Sequence, residues 1–324
     1  MKYPRFSGHR KRNDEDIRPL LKGRERGVVH LTHNDLDAVG CDAVHRRAFP
    51  HVTSIFCSVG RFPHVMEAVS KVPGENDTLS ISDLGYFSGA ESLVEQIRSR
   101  GWRVEWRDHH RWHDEEVEKC TPSCDLLHVD VNTCATGICA RDLLPKDPVA
   151  QEIASIVCDY DLWIHADPRS AVLGQVLQRR ENRQHVRDCL VQGIFSDGTI
   201  FREYQEICKE MAKLIGKSIR RAQVYGKRFR IGFAPLYGYP SETAAAMRKE
   251  LGTDMEVLIS SSGRFSLRSV PPVSHILARN FGGGGHPHAA GGNFPFSFWD
   301  RILFRLSGRC SYIRQFVESA ESLQ

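Results

Sequence analysis

The chain has 324 residues, 26% of them charged and 41% apolar, and a formal net charge of +4. That length suits two cored domains, that composition excludes a disordered or fibrous chain, and no apolar run approaches the roughly 18–20 residues of a membrane-spanning helix. The opening stretch MKYPRFSGHRKRNDEDIRPLLKGRERG is charged and lacks an apolar core, so it does not read as a secretory signal; a cytoplasmic setting is expected, with the 10 cysteines as reduced thiols.

Residues 1–27 read as a basic arm with a His9–Arg12 cluster. Val28–Thr32 is an apolar strand that runs into His33-Asn34-Asp35-Leu36-Asp37, and Gly40 lets a helix start tightly behind it. Ile55–Ser58 and Thr78–Ser82 are the next strands, the latter ending at Asp83. Ser88 and Glu91 have capping-box spacing, and Leu93, Val94 and Ile97 continue as a helix toward Gly101. Arg103–Trp106 is a fourth strand, followed by Asp108-His109-His110; Leu126–Val131 is a fifth, with helices at Ala135–Leu144 and Val149–Asp159. His113, Cys120, Cys124 and His128 match no strong zinc spacing. The alternation predicts an α/β fold: a mainly parallel, doubly wound sheet over residues 28–180. Ligands of such sheets bind beyond the carboxyl ends of the strands, so Asp35, Asp37, Asp83 and the Asp108–His110 run can converge.

Residues 181–226 read as a helical linker, and a smaller α/β domain follows over 227–300. Its elements are strand Phe229–Ala234, helix Ser241–Leu251, strands Glu256–Ser261 and Arg264–Val270, a turn at Pro271-Pro272, and helix Val273–Phe281. The run from Gly282 to Gly292 comes next, and residues 301–324 read as a C-terminal extension. Basic clusters at Arg179–Arg183, Arg220–Arg221 and Lys227–Arg230 suit solvated faces one by one and phosphate handling together.

Each carboxylate taken alone is an ordinary cap or turn residue. Together they suggest metal: two Asp at i and i+2 can reach two cations about 3.5–4 Å apart. Carboxylate oxygen with imidazole nitrogen suits Mn²⁺, with Mg²⁺ or Co²⁺ as alternatives, and without cations the carboxylates repel one another. Glycines at 283–285 let backbone approach a ligand and present N–H groups to anions.

The order His-x-Asp-x-Asp, strand-end Asp, Asp-His-His and a distant Gly-Gly-Gly-Gly-His resembles the DHH phosphoesterases with the DHH-associated C-terminal domain, over roughly residues 28–295. That group includes nanoRNase-type oligoribonucleases, pAp phosphatases and RecJ-like exonucleases. The resemblance implies His33 and Asp35 on one metal, Asp37 on the second and Asp83 between them. It implies His109 as a second-metal ligand oriented by Asp108, and His110 at the scissile phosphate or in support of the site. The last ligand falls at Asp159, with Asp161 second and Asp130 weaker. The commonest pattern puts a His four residues before the first Asp; Leu31 stands there in this chain, so His33 takes that role, with His30 as substitute. Arg268, Gly283, Gly284, Gly285 and His286 are the implied substrate contacts.

The implied function is two-metal-ion hydrolysis of short RNA or DNA oligonucleotides and dinucleotides to mononucleotides, a nanoRNase-like exonuclease activity. Within the family, a pAp phosphatase or a linear or cyclic dinucleotide phosphodiesterase is the alternative; outside it, a non-catalytic nucleotide-binding protein. An inorganic pyrophosphatase shares the metal motifs but lacks the glycine-His run. No membrane partner is expected, and a homodimer is admitted without being specified.

Overall fold

The computed structural model describes residues 17–323, so most of the 1–27 arm, with its His9–Arg12 cluster, lies outside the described residues. Two compact units divide the described residues, with the boundary between Tyr204 and Gln205. The first opens with α1 (Arg18–Lys22) and β1 (Val28–Thr32), then α2 (Leu36–Ala48), β2 (Val52–Phe56), α3 (Phe62–Val69) and β3 (Thr78–Ser82). It continues through α4 (Ala90–Ser99), β4 (Arg103–Asp108), α5 (Asp114–Cys120), β5 (Leu126–Val129) and α6 (Ala135–Leu143). Then come α7 (Pro148–Asp161), α8 (Pro168–Val176), α9 (Arg183–Val191) and α10 (Gly198–Ile219), the last crossing the unit boundary.

The five strands form one sheet in the order β2-β1-β3-β4-β5, every neighbouring pair parallel. This is the expected α/β architecture. The chain leaves β1 in opposite directions toward β2 and β3, which opens a crevice at their carboxyl ends.

The two sheet faces differ. Val29, Leu31, Leu79, Ile81 and Trp106 point into an apolar core with Phe62, Met66, Val94 and Ile97. The alternate residues carry polar groups against α2. His30 bonds Asp42 through Nδ1 (2.9 Å) and Ser82 through Nε2 (2.7 Å), and stacks on His45 at 4.0 Å. His45 Nε2 reaches Ser80 at 2.8 Å. Burial and the neighbouring His30 push His45 below its ordinary pKa, so it sits in this layer as neutral imidazole. The layer fixes α2 on the sheet, and with it the turn that carries Asp35 and Asp37.

Four local expectations are corrected. Gly40 does not start a helix but lies inside α2, where a Cβ would come within 2.5 Å of Thr136 Oγ1 and 2.9 Å of Val157 Cγ2; it lets α6 and α7 pack close. β2 is Val52–Phe56 because its ladder begins with Val28 opposite Val52. Ser88 does not cap α4: Gly89 does, at φ +87, and Glu91 accepts from the Tyr86 hydroxyl instead. Cys134 and Cys158 form a disulfide between α6's cap and α7, against the expectation that all the cysteines are reduced.

The second unit holds β6 (Gln223–Tyr225), β7 (Ile231–Pro235), α11 (Pro240–Leu251), β8 (Met255–Ile259), β9 (Arg264–Ser269) and α12 (Ser274–Arg279). It ends with β10 (Gly284–Gly285), β11 (Ala289–Asn293), α13 (Phe298–Ser307) and α14 (Ile313–Glu321). Its sheet runs β10-β11-β9-β8-β7-β6, parallel only between β7 and β8. Phe304, Ile313, Phe316 and Ala320 join Phe233, Phe265 and Phe294 in its core, so the described part of the expected 301–324 extension packs into this unit. The stretch 181–226 is likewise no free linker, because α9 packs on α2 and contributes Val186, Cys189 and Leu190 to the first unit's core. Among the described residues no helix is long and apolar enough to cross a membrane.

Candidate metal centre

Three loops that leave the carboxyl ends of parallel strands deliver the site. After β1, Asp35 caps α2 by accepting the Ala38 N–H at 3.1 Å, and its other oxygen lies 2.8 Å from His33 Nδ1. Asp37, in the first turn of the same helix, is buried and accepts Ala135 N–H and Thr136 N–H, each at 2.8 Å. Those amides open α6, so a helix N-terminus orients this carboxylate and offsets its charge.

After β3, Asp83 takes left-handed backbone at φ +54, a conformation that costs a non-glycine residue about 1–3 kcal/mol. Its side chain is 3% exposed, and Oδ2 is buried without any hydrogen-bond partner. Oδ1 lies 3.4 Å from His109 Nε2, and Oδ2 lies 3.9 Å from His33 Nδ1. After β4, His109 Nε2 is also 3.7 Å from Asp37 Oδ2, while its Nδ1 is 3.6 Å from Asp161 Oδ2 at the end of α7.

Donor atoms of three triads each fall within 4.8 Å of one another: His33, Asp35 and Asp83; Asp83, His109 and His110; Asp37, His109 and Asp161. Asp83 and His109 each belong to two. The carboxylates crowd one another. Burial, then the charges of Asp35 and Asp37, hold Asp83 far above the usual carboxylate range; burial, then Asp37 and Asp35, push Asp161 up to about 8. Hard oxygen and imidazole donors, an orphaned buried oxygen and like charges short of counter-charge all fit divalent cations.

No protein-family model matches the chain. It is 25% identical over 300 residues to an oligoribonuclease, NrnB, of Bacillus subtilis, covering 82% of this chain and 72% of that protein. The solved DHH domain of a member of the s1p family of ribosomal proteins matches with a TM-score of 0.63 at 13% identity, over 92% of this chain and 87% of that one. A pGpG-specific phosphodiesterase, PggH, of Vibrio cholerae matches in fold with a TM-score of 0.56 at 13% identity, over 87% and 98%. These likenesses to an oligoribonuclease in sequence and to a DHH domain in fold support the resemblance to the DHH phosphoesterases.

The Asp108-His109-His110 motif divides its labour differently from the expectation. Asp108 does not orient His109. Its carboxylate accepts His110 Nδ1–H at 2.8 Å and the Trp112 indole N–H at 2.7 Å, so it anchors His110. Among the candidates for the last ligand, only Asp161 reaches the cluster. Asp159 accepts Ala166 N–H (2.8 Å), Asp167 N–H (3.2 Å) and the Ser170 hydroxyl (2.5 Å), and so organises the turn between α7 and α8. Asp130 is held by Asn132 and Arg141, and His30 stays in the polar layer under α2. Among the described residues His113, Cys120, Cys124 and His128 form no metal-binding group.

Arg183 was visible in the sequence only as one charge of a basic cluster. Its guanidinium donates to Asn34 O and Oδ1 at 3.3 and 3.2 Å and lies over Phe56, bracing the turn between His33 and Asp35.

In the second unit, Arg268 on β9 bonds Ser266 Oγ, Leu267 O and Ser241 Oγ, each at 3.0 Å. Ser241 lies in the first turn of α11, so a partly buried guanidinium sits beside a helix N-terminus. No carboxylate is within ion-pair distance of it among the described residues. The glycine run is not an open loop but the β10–β11 hairpin: Gly284 pairs with Gly291 and Gly285 with Ala290. A Cβ on Gly283 would come 1.9 Å from Gly291 O, and one on Gly285, at φ +140, 2.6 Å from Ala289 O. Gly284 faces open space, and His286 is exposed at the hairpin turn, where its N–H bonds Ala289 O at 2.8 Å.

Proposed function

We propose that this chain is a two-metal-ion phosphoesterase that releases mononucleotides from dinucleotides and short oligonucleotides. The observation that carries the reading is the shared position of Asp83 and His109 in overlapping triads, with an unpartnered Asp83 oxygen buried among them. The oligoribonuclease name of the Bacillus subtilis relative favours this substrate class over pAp or cyclic dinucleotides.

His33 and Asp35 would hold one cation, Asp37, His109 and Asp161 the other, and Asp83 both; Mn²⁺ suits these donors. When bound, such ions lower the pKa of water and offset charge on a phosphoryl group. The remaining work falls to this chain's own residues. Asp108 fixes the His110 ring, and burial, which would lower that imidazole's pKa, is outweighed by the Asp108 hydrogen bond and charge; the raised pKa favours a protonated ring that stabilises a phosphoryl oxygen. Within the second unit, Arg268, held by two serine hydroxyls and a carbonyl, would hold a phosphate beside the α11 amides, and His286 is the other contact that the resemblance implies there.

The test is a panel of end-labelled two- to twenty-mers, pAp and cyclic dinucleotides with Mn²⁺. Mononucleotide release fastest from the shortest linear substrates, lost in Asp83→Asn, is the expected result. Nucleotide binding without turnover, in protein carrying no metal, would establish the non-catalytic alternative.

A further inference from the structure

A second convergence of metal-ligating side chains lies apart from the phosphoesterase cluster and shares no residue with it. His185 and Cys189 stand four residues apart on α9, which puts them on one helix face. Asp197 precedes α10 and caps it, its Oδ1 accepting the Ile200 N–H at 2.7 Å. The cap leaves Oδ2 turned to α9: it lies 2.8 Å from His185 Nε2 and 3.7 Å from Cys189 Sγ. Sγ and Nε2 are 3.6 Å apart, so nitrogen, sulfur and oxygen form a small triangle.

Bonds of about 2.0–2.3 Å to a tetrahedral zinc ion place donor atoms roughly 3.3–3.6 Å apart. The two edges that include sulfur already have nearly that length. The third, now a hydrogen bond, opens by about half an ångström on binding. Side-chain rotation supplies this, because His185 is 42% and Asp197 32% exposed while Cys189 stays buried between them. One thiolate, one imidazole and one carboxylate suit Zn²⁺, and the exposed side leaves room for water as fourth ligand.

We propose that His185 Nε2, Cys189 Sγ and Asp197 Oδ2 bind one zinc ion that pins the C-terminal half of α9 to the start of α10. The ion class differs from that of the phosphoesterase cluster, which offers only oxygen and nitrogen. Binding displaces the Cys189 proton, which burial and Asp197 otherwise hold up to about 11, so affinity falls in acid.

The experiment uses full-length protein stripped with chelator and titrated with Co²⁺ as a spectroscopic stand-in for zinc. Because the two-cation cluster also takes Co²⁺, stoichiometric Co²⁺ here means three equivalents, by which point thiolate-to-cobalt charge-transfer absorption is expected to appear, and Zn²⁺ then bleaches it. Cys189→Ser abolishes the band. His185→Gln, at a partly exposed position that spares the core, weakens Co²⁺ binding at this site by at least about tenfold. No band at stoichiometric Co²⁺, a band that survives Cys189→Ser, or unchanged affinity in His185→Gln overturns the assignment.

Discussion

His109 Nδ1 lies 3.6 Å from Asp161 Oδ2, whereas Asp159, two residues earlier on the same helix, is tied to the following turn. Asp161→Asn is therefore expected to weaken Mn²⁺ binding by about 10–100-fold or more, the range for groups that support metal ligands. Asp159→Asn should leave Mn²⁺ affinity unchanged. Calorimetric titration of both variants checks this; equal losses would return Asp159 to the ligand set.

Asp159→Asn should instead cost stability, about 1–3 kcal/mol in urea unfolding, since the carboxylate accepts three hydrogen bonds at a buried position. Burial opposes its ionisation, but Ser170 and the two amides outweigh burial and hold its pKa below the usual range. Its contribution is thus present above about pH 4 and lost as pH falls through the folded pKa. The variant's deficit should shrink in acid.

Metal-free protein should show the opposite slope. Asp83, Asp37 and Asp161 all titrate higher folded than unfolded, burial being the largest cause, with Asp161 at about 8. The folded state then binds more protons than the unfolded chain, and stability falls as pH rises from about 4 to 8. Mn²⁺ bound as proposed would hold these carboxylates ionised and flatten that decline. Thermal unfolding across this range, with chelator and with Mn²⁺, reads the difference.

Asp108→Asn removes the charge that holds His110 while leaving every proposed ligand in place. Turnover should drop about 10–100-fold with Mn²⁺ content unchanged, as measured by steady-state rates beside elemental analysis.

Arg268→Lys should raise KM several-fold and spare metal content, because an ammonium cannot reproduce the guanidinium fork. Gly283→Ala acts on packing: the added methyl meets Gly291 O and forces β10 from β11, a loss of about 1–3 kcal/mol expected in denaturant unfolding of the intact chain.

The sequence alone determined the α/β alternation and the strand ends that bear His33, Asp35, Asp37, Asp83 and His109, because a strand's apolar run and the polar turn behind it are local properties. Its spacing also marked the glycine-rich run, although the steric reason emerges only when Gly283 faces Gly291 across a hairpin. Tertiary structure decided between Asp159 and Asp161. Two residues on a helix differ by roughly 200° in direction, and which one faces the cluster depends on how α7 lies against the sheet. It also decided that Asp108 serves His110 rather than His109, that residues 301–324 complete a core, and that Cys134 meets Cys158. Each is a contact between segments whose docking sets the partner, and no local pattern encodes that docking.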